Sequence, residues 1–284
     1  ESIYGFPQYY EIAFSYRDIA SEVDVMEEAI RRYSKIPVHN VLELACGNSP
    51  HMLEFSSRGY QYSGLDLSPT MVEFAKEKAK NENLDVQFYL ANFVDFRLKE
   101  PVDFIYIMLG SLYVNNTEEL LSHFSAVEQA LKPGGLYFLD WCIDFSPLDN
   151  TQDSWVMRKD GITVTTLYTT RLFHAAEQLY EENILFTVKD HGIQKTLAHR
   201  GSRRAIFPQE FVLATTKLHH FELLGWWNDW NWKRPLGEGR TEIIRPITIY
   251  DVLTLTEAVD AQDITLPEGQ ETAESFRIAR CSHF

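Results

Sequence analysis

The stretch that most constrains the fold is VLELACGNSPHMLEFSSRGYQYSGLD, residues 41–66. A short apolar run ends in Glu43, a turn of small residues follows (Ala45, Cys46, Gly47, Asn48, Ser49), and a second apolar run ends in Asp66. The order is strand, loop, helix, strand, acid. In open α/β sheets a ligand sits outside the carboxyl ends of the strands, and an acid closing the second strand is placed to hold ribose hydroxyls. The segment therefore predicts a site for a nucleoside-containing cofactor.

What the loop lacks narrows the nucleoside. A dinucleotide loop or P-loop needs several glycines, or Gly-Lys-Ser/Thr, so that backbone N–H groups approach phosphates closely. Here Gly47 is the one glycine in the turn. Glu43 at the lip of the strand would oppose a pyrophosphate but suits a cationic amino group or sulfonium. With that acid and loop the chain resembles the class I S-adenosylmethionine-dependent methyltransferases, whose first motif is an acid followed by x-G-x-G-x-G. Ala45 and Ser49 stand where that family has glycines, and Pro50 follows directly, which bears on how the next helix begins.

Further features follow in the family's order. Ser68-Pro69 is a cap and a first-turn proline. VQFYLANF reads as a third strand, with Asn92 where the family carries the acid or amide that recognises the adenine amino group. VDFIYIMLGS is a near-continuous apolar run, as in a strand buried on both faces. A helix over Thr117–Lys132, the turn Lys132-Pro133-Gly134-Gly135 and a fifth strand, LYFLDW, complete the pattern. The resemblance implies an α/β fold with a Rossmann-like, doubly wound, seven-stranded sheet. It implies S-adenosylmethionine as cofactor, S-adenosylhomocysteine as product, and contacts from Tyr16, Arg17, Glu43, Ala45, Gly47, Asn48, Asp66, Leu67, Met71, Asn92, Phe93 and Leu109.

Composition limits the partners. The 284 residues carry 41 acids against 26 bases, a formal net charge of −15, whereas nucleic-acid binding needs phosphate neutralisation by a basic face. The one basic cluster, His199-Arg200-Gly201-Ser202-Arg203-Arg204, reads as a strand end, so a small molecule is the expected substrate. There is no transmembrane run, the N-terminal residues do not read as a signal peptide, and the three cysteines form no CxxC pair. A cytoplasmic protein without membrane partner or structural zinc is expected.

Residues 1–37 read as a lid-helix region, with an amphipathic helix over much of YYEIAFSYRDIASEVDVMEEAIRRY and Tyr9, Tyr16 and Arg17 as its candidate site residues. By resemblance, Arg17 would bind the cofactor's methionine carboxylate and a tyrosine would pack beside the sulfonium. Residues 38–150 are the cofactor-binding core. Residues 151–206 alternate β-branched and aromatic residues between turns at Asp160-Gly161, His174–Glu177 and His191-Gly192, predicting an inserted antiparallel sheet of about four strands. Methyltransferases similar to the glycine and amino-sugar N-methyltransferases carry such a sheet as a substrate roof and often a dimer contact. A homodimer through it is therefore expected. Residues 207–253 return to the core sheet and 254–284 form an acidic extension. Trp226, Trp227, Trp230 and Trp232 read as space-filling or as an aromatic wall for a cation.

Methyl transfer is an in-line displacement that needs alignment and exclusion of water. An amine acceptor has only to arrive neutral, whereas a phenol or acid must also lose a proton. Tyr113 and Asp140 are the candidate bases, and Asp140 and Asp144 lack the further ligands a metal would need. The expected activity is methylation of a small molecule, on an amine nitrogen. O-methylation of a hydroxylated metabolite and a non-catalytic, cofactor-binding scaffold are the alternatives.

Overall fold

Residues 1–37 hold two helices where the periodicity predicts one. In the computed structural model, α1 (Pro7–Ala13) ends at Phe14, and α2 (Ile19–Tyr33) starts afresh because the Asp18 carboxylate accepts from the Ser21 N–H at 3.1 Å. Asp18 is a good N-cap, and that local bond competes successfully with a continuous helix. The model describes residues 1–145, 150–237 and 246–252, the last group as backbone. The expected acidic extension and Cys281 lie outside the described residues.

The core follows in order: β1 (Asn40–Leu44), α3 (Met52–Ser57), β2 (Gln61–Asp66), α4 (Pro69–Asn81), β3 (Gln87–Leu90), β4 (Val102–Ile107), α5 (Thr117–Ala130) and β5 (Leu131–Asp140). The inserted sheet is β6 (Thr151–Lys159), β7 (Ile162–His174), β8 (Leu179–Asp190) and β9 (Ile193–Arg204). Then come α6 (Pro208–Lys217), β10 (Phe221–Asn228) and β11 (Pro246–Val252). The main sheet runs β10-β11-β5-β4-β1-β2-β3, with β1 to β5 parallel, and β11 and β10 antiparallel to their neighbours. The chain moves outward in opposite directions from β1 and β4. That reversal is the switch point at which open α/β sheets bind ligands.

The helix expected to reach Lys132 stops at Ala130, because Leu131 already pairs with Val102. The register then shifts across Lys132-Pro133-Gly134-Gly135, where backbone crowding demands glycine: a Cβ on Gly135 would lie 2.5 Å from the Asp103 carbonyl oxygen. Asp103 ties the strand starts together, accepting from the His39 and Asn40 N–H groups and, at 2.7 Å, from Lys132. One apolar layer, with Leu42, Ile105, Phe124 and Phe211, lies on the α5 side, and another, with Met26, Phe55, Phe104 and Phe138, lies under α2 and α3.

The inserted sheet is a meander whose β7–β8 and β8–β9 pairings are nearly unbroken. Two of its turns, Asp160-Gly161 and His191-Gly192, have both residues at positive φ, as two-residue hairpins with the strands' own twist require. Its β8 side chains alternate strictly: Tyr180, Glu182, Ile184, Phe186 and Val188 face inward. That face packs on Ile3, Tyr9, Ile12 and Ala13, so the inserted sheet and the N-terminal residues share one apolar cluster. No helix among the described residues is long and apolar enough to cross a membrane.

Candidate cofactor and acceptor site

The β1–α3 loop keeps the backbone of a glycine-rich turn without its glycines. Ala45, Gly47 and Ser49 have φ of 52°, 53° and 48°, and the residues between them are not left-handed. Alternating handedness of this kind turns successive N–H groups toward one concavity that favours negative charge. Ala45 and Ser49 hold a conformation that costs a non-glycine residue roughly 1 kcal/mol.

Asp66 closes β2 against this loop. One of its oxygens accepts from the Gly47 N–H at 2.8 Å and the other from the Ser68 N–H at 2.8 Å. Each oxygen keeps a lone pair, which is what a ribose diol needs. Burial, only partly offset by these amides, holds the Asp66 pKa above its ordinary value. Leu67 and Leu90, at the ends of β2 and β3, are 68% and 59% exposed, giving an apolar edge beside the carboxylate. Asn92 is exposed, and its Oδ1 accepts from the Val94 N–H at 3.0 Å while its NH2 stays available. Phe93 packs edge-on to His123, and Asn48 is buried. Met71 is wholly buried in α4, so it supports the site from below rather than lining it. Leu109, at φ 56°, donates its N–H to Asp140 and shapes the turn after β4.

The tyrosine over the loop is neither of those singled out in sequence. Tyr10 lies 4.0 Å from where a Gly47 Cβ would be, whereas Tyr9 turns to the roof and donates to Asp190 at 2.7 Å. Tyr16 is 52% exposed, with its ring near Trp155. One residue on a helix is about 100° of rotation, and the sequence pattern did not fix the phase of so short a helix.

Glu43 also departs from expectation. It points inward and is 3% exposed, accepting from Tyr62 Oη at 2.6 Å, Tyr106 Oη at 3.0 Å and His51 Nδ1 at 3.0 Å. Both oxygens are engaged within the protein, so Glu43 acts on the site through its neighbours. His51 Nε2 lies 2.9 Å from Glu22 on α2, and Glu22 also takes Nε and Nη2 of Arg17. Burial opposes charge on His51, but Glu43 and Glu22 outweigh it and hold its pKa above the usual imidazole value. Burial likewise opposes charge on Glu22, yet His51 and Arg17 pull its pKa down to about 2. The result is a buried row, Arg17–Glu22–His51–Glu43.

The candidate bases have other partners. Asp140 is fully buried and accepts from the Leu109 N–H at 3.0 Å and the Trp230 indole at 2.9 Å, which makes it a strut between β5, the β4 turn and the tryptophan segment. Tyr113 donates to Glu182 at 2.7 Å, and burial together with that carboxylate pushes its pKa well above the ordinary phenol, so it is a donor rather than a base. Trp227 and Trp232 pack on each other and on Tyr33 of α2, which fits the space-filling reading.

On the inner face of the inserted sheet lies Glu182, 3% exposed, which accepts from Tyr113 and from Tyr168 at 2.7 Å each. No cation is within hydrogen-bonding distance of it among the described residues. Tyr4 stands between this carboxylate and the loop: its ring is 5.9 Å from Tyr10 and 4.9 Å from His199. Burial, then Tyr10, Glu182 and Asp66, raise the Tyr4 pKa. His51, Glu22, Tyr10 and Glu182 carry no motif, and only their meeting in space identifies them.

At the switch point of this strand order, a partly buried carboxylate closes β2 beside a loop with one glycine, where a pyrophosphate site would have a glycine-rich loop. The chain carries a methyltransferase domain within the fold of the class I S-adenosylmethionine-dependent methyltransferases. A family model described as a methyltransferase domain matches residues 41–135. The chain is 27% identical over 181 residues to a dTDP-3-amino-3,4,6-trideoxy-alpha-D-glucopyranose N,N-dimethyltransferase of Streptomyces venezuelae, covering 62% of this chain and 72% of that protein. It is 26% identical over 126 residues to a dTDP-4-amino-2,3,4,6-tetradeoxy-D-glucose N,N-dimethyltransferase of Saccharopolyspora spinosa, covering 44% of this chain and 48% of that protein. A solved S-adenosylmethionine-dependent methyltransferase from Clostridium acetobutylicum superposes with a TM-score of 0.71 at 18% identity, covering 86% of this chain and 96% of that one. The sugar N-methyltransferase KedS8 from a Streptoalloteichus species gives a TM-score of 0.66 at 20% identity, covering 84% and 89%.

Proposed function

We propose that the protein methylates the amine nitrogen of a small metabolite related to amino sugars. The observation that carries this reading is Glu182, a buried carboxylate on the inserted sheet, held by two phenols and with no cation within hydrogen-bonding distance among the described residues, while Arg203, which acts on it electrostatically, is itself paired with Asp144. A buried charge that is only partly compensated is costly, and an acceptor ammonium at this place would offset it. The two N,N-dimethyltransferases among the relatives, both named for amino-sugar substrates, agree with an amine acceptor.

The residues at the loop fit S-adenosylmethionine. Asp66 has one free lone pair per oxygen for the ribose hydroxyls, Asn92 has its amide for the adenine edge, and Leu67 and Leu90 flank the ring. Arg17, with Nε and Nη2 held by Glu22, keeps Nη1 for the methionine carboxylate. The cofactor supplies an electrophilic methyl group on its sulfonium.

The chain's own work is placement and proton handling. Glu182 would orient the ammonium toward the loop, across Tyr4 and Tyr10. His199, on the strand beside Glu182, has its pKa lowered by burial, so a neutral imidazole is available to take the ammonium proton. The covering tyrosines exclude water, which favours displacement over hydrolysis. The test is a screen of amine and phenol acceptors for S-adenosylhomocysteine release, with products identified by mass spectrometry. N-methylated amino sugars are the expected products. Turnover confined to phenols or carboxylic acids would overturn the amine reading.

A further inference from the structure

His51 belongs to no motif, yet it sits at the centre of the row beneath the loop. Its ring is wholly buried, with Nδ1 3.0 Å from Glu43 Oε1 and Nε2 2.9 Å from Glu22 Oε2. A neutral imidazole carries one N–H and can donate to one carboxylate only; to satisfy both it must be an imidazolium. In that state the row balances: Arg17 and His51 positive, Glu22 and Glu43 negative. The other groups facing the ring are the Arg17 guanidinium, 3.1 Å from Nε2, and the Tyr106 ring of β4, edge-on with centroids 5.4 Å apart. Tyr62 of β2 and Tyr106 both donate to the far oxygen of Glu43.

The row joins three segments that must cooperate around a ligand. Glu43 belongs to β1 and His51 precedes α3, so they bracket the left-handed loop. Glu22 belongs to α2, the lid side. Glu22 grips Arg17 by Nε and Nη2, and Nη1 makes no hydrogen bond among the described residues. Arg17 lies within electrostatic reach of Tyr10, which covers Gly47, and of Asp140 at the end of β5.

We propose that His51 and Glu22 are positioning residues for the amino-acid end of the cofactor: the His51 imidazolium, clamped between Glu43 and Glu22, fixes the carboxylate that aims Arg17 at the cofactor's carboxylate. This rests on the S-adenosylmethionine site proposed above. When His51 loses its proton, one of the two buried carboxylates loses its donor. Glu22, short of a donor, then draws more fully on Arg17 and the charge presented to the ligand weakens. Ligand affinity therefore depends on the protonation of a residue that does not touch the ligand.

Linkage makes this testable in the unmodified protein. If protonation of His51 favours S-adenosylhomocysteine binding by a given factor, saturation with S-adenosylhomocysteine raises the His51 pKa by the logarithm of that factor. The experiment combines an NMR pH titration of the His51 imidazole, with and without S-adenosylhomocysteine, and calorimetric Kd values for the same probe across the pH range of that titration. The expected results are an upward pKa shift of about one unit and a Kd about tenfold weaker above the His51 pKa. In His51→Gln the affinity should be lower and the His51-linked step in Kd gone, and Glu22→Gln, a milder change on the lid side, should flatten the same step. An unmoved His51 pKa on saturation, or the same pH step in both variants, would overturn the proposal. Absence of binding to the wild type at every pH would instead overturn the cofactor assignment.

Discussion

At the scale of single residues, the loop after β1 shows how a motif can survive the loss of its letters. Ala45 and Ser49 keep the left-handed backbone that glycine would adopt freely. Glycine would remove a strain of about 1 kcal/mol at each position but raises the entropy lost on folding by a similar amount. Ala45→Gly and Ser49→Gly should therefore leave stability within about 1 kcal/mol by urea denaturation and preserve cofactor binding. Gly47→Val, placing a branched side chain at φ 53° toward Tyr10, should lose both. A large loss of stability in the glycine variants would contradict this account of the backbone. The sequence made Glu43, Gly47, Asp66 and Asn92 legible because each belongs to a fixed offset in a βαβ pattern. It left His51, Glu22 and Tyr10 illegible because their partners lie on other elements, and because the helix break at Asp18 reset the phase of the lid.

At the scale of elements, the succession of strands along the chain and the meander were readable from apolar runs and turn residues, and the doubly wound sheet from the resemblance. The side chains on the inner face of the roof acquire meaning only from what packs against them. Glu182 alternates inward like its apolar neighbours, and nothing in the pattern of β8 separates it from a solvated acid. Glu182→Gln keeps the shape and removes the charge. It should raise the KM for amine acceptors at least about tenfold, the loss of a charge-assisted contact of roughly 1.5–3 kcal/mol, and leave S-adenosylhomocysteine affinity unchanged. Steady-state kinetics beside calorimetry separate the two effects, and an unchanged KM would contradict the acceptor role. On the lid, Tyr9→Phe deletes the bond to Asp190 and should cost about 1 kcal/mol of stability without affecting the cofactor.

At the scale of the whole molecule, the buried row links stability to pH with a definite sign. His51 has a folded pKa above its usual 6.5, so its stabilisation is complete below that value and is lost as pH rises through the folded pKa. Glu22 has a folded pKa of about 2 against an ordinary 4.5, so its stabilisation is present above 4.5 and fades as pH falls toward 2. The part of the stability due to this row should thus be flat between these limits and fall on either side. Thermal denaturation of wild type and His51→Gln across this range tests it, since the variant should lose the alkaline slope and keep a weaker acid one, with Arg17 alone left to hold the Glu22 pKa down.

The central claim is that a nucleoside cofactor sits against Asp66 at the switch point of the sheet. Calorimetric titration of S-adenosylhomocysteine into the wild type and an Asp66→Ala variant of equal thermal stability tests it most directly. The account predicts saturable binding to the wild type, weakened at least about tenfold in the variant as the charged ribose contacts are lost. Absence of binding to the wild type, or equal affinity in both proteins, would contradict it.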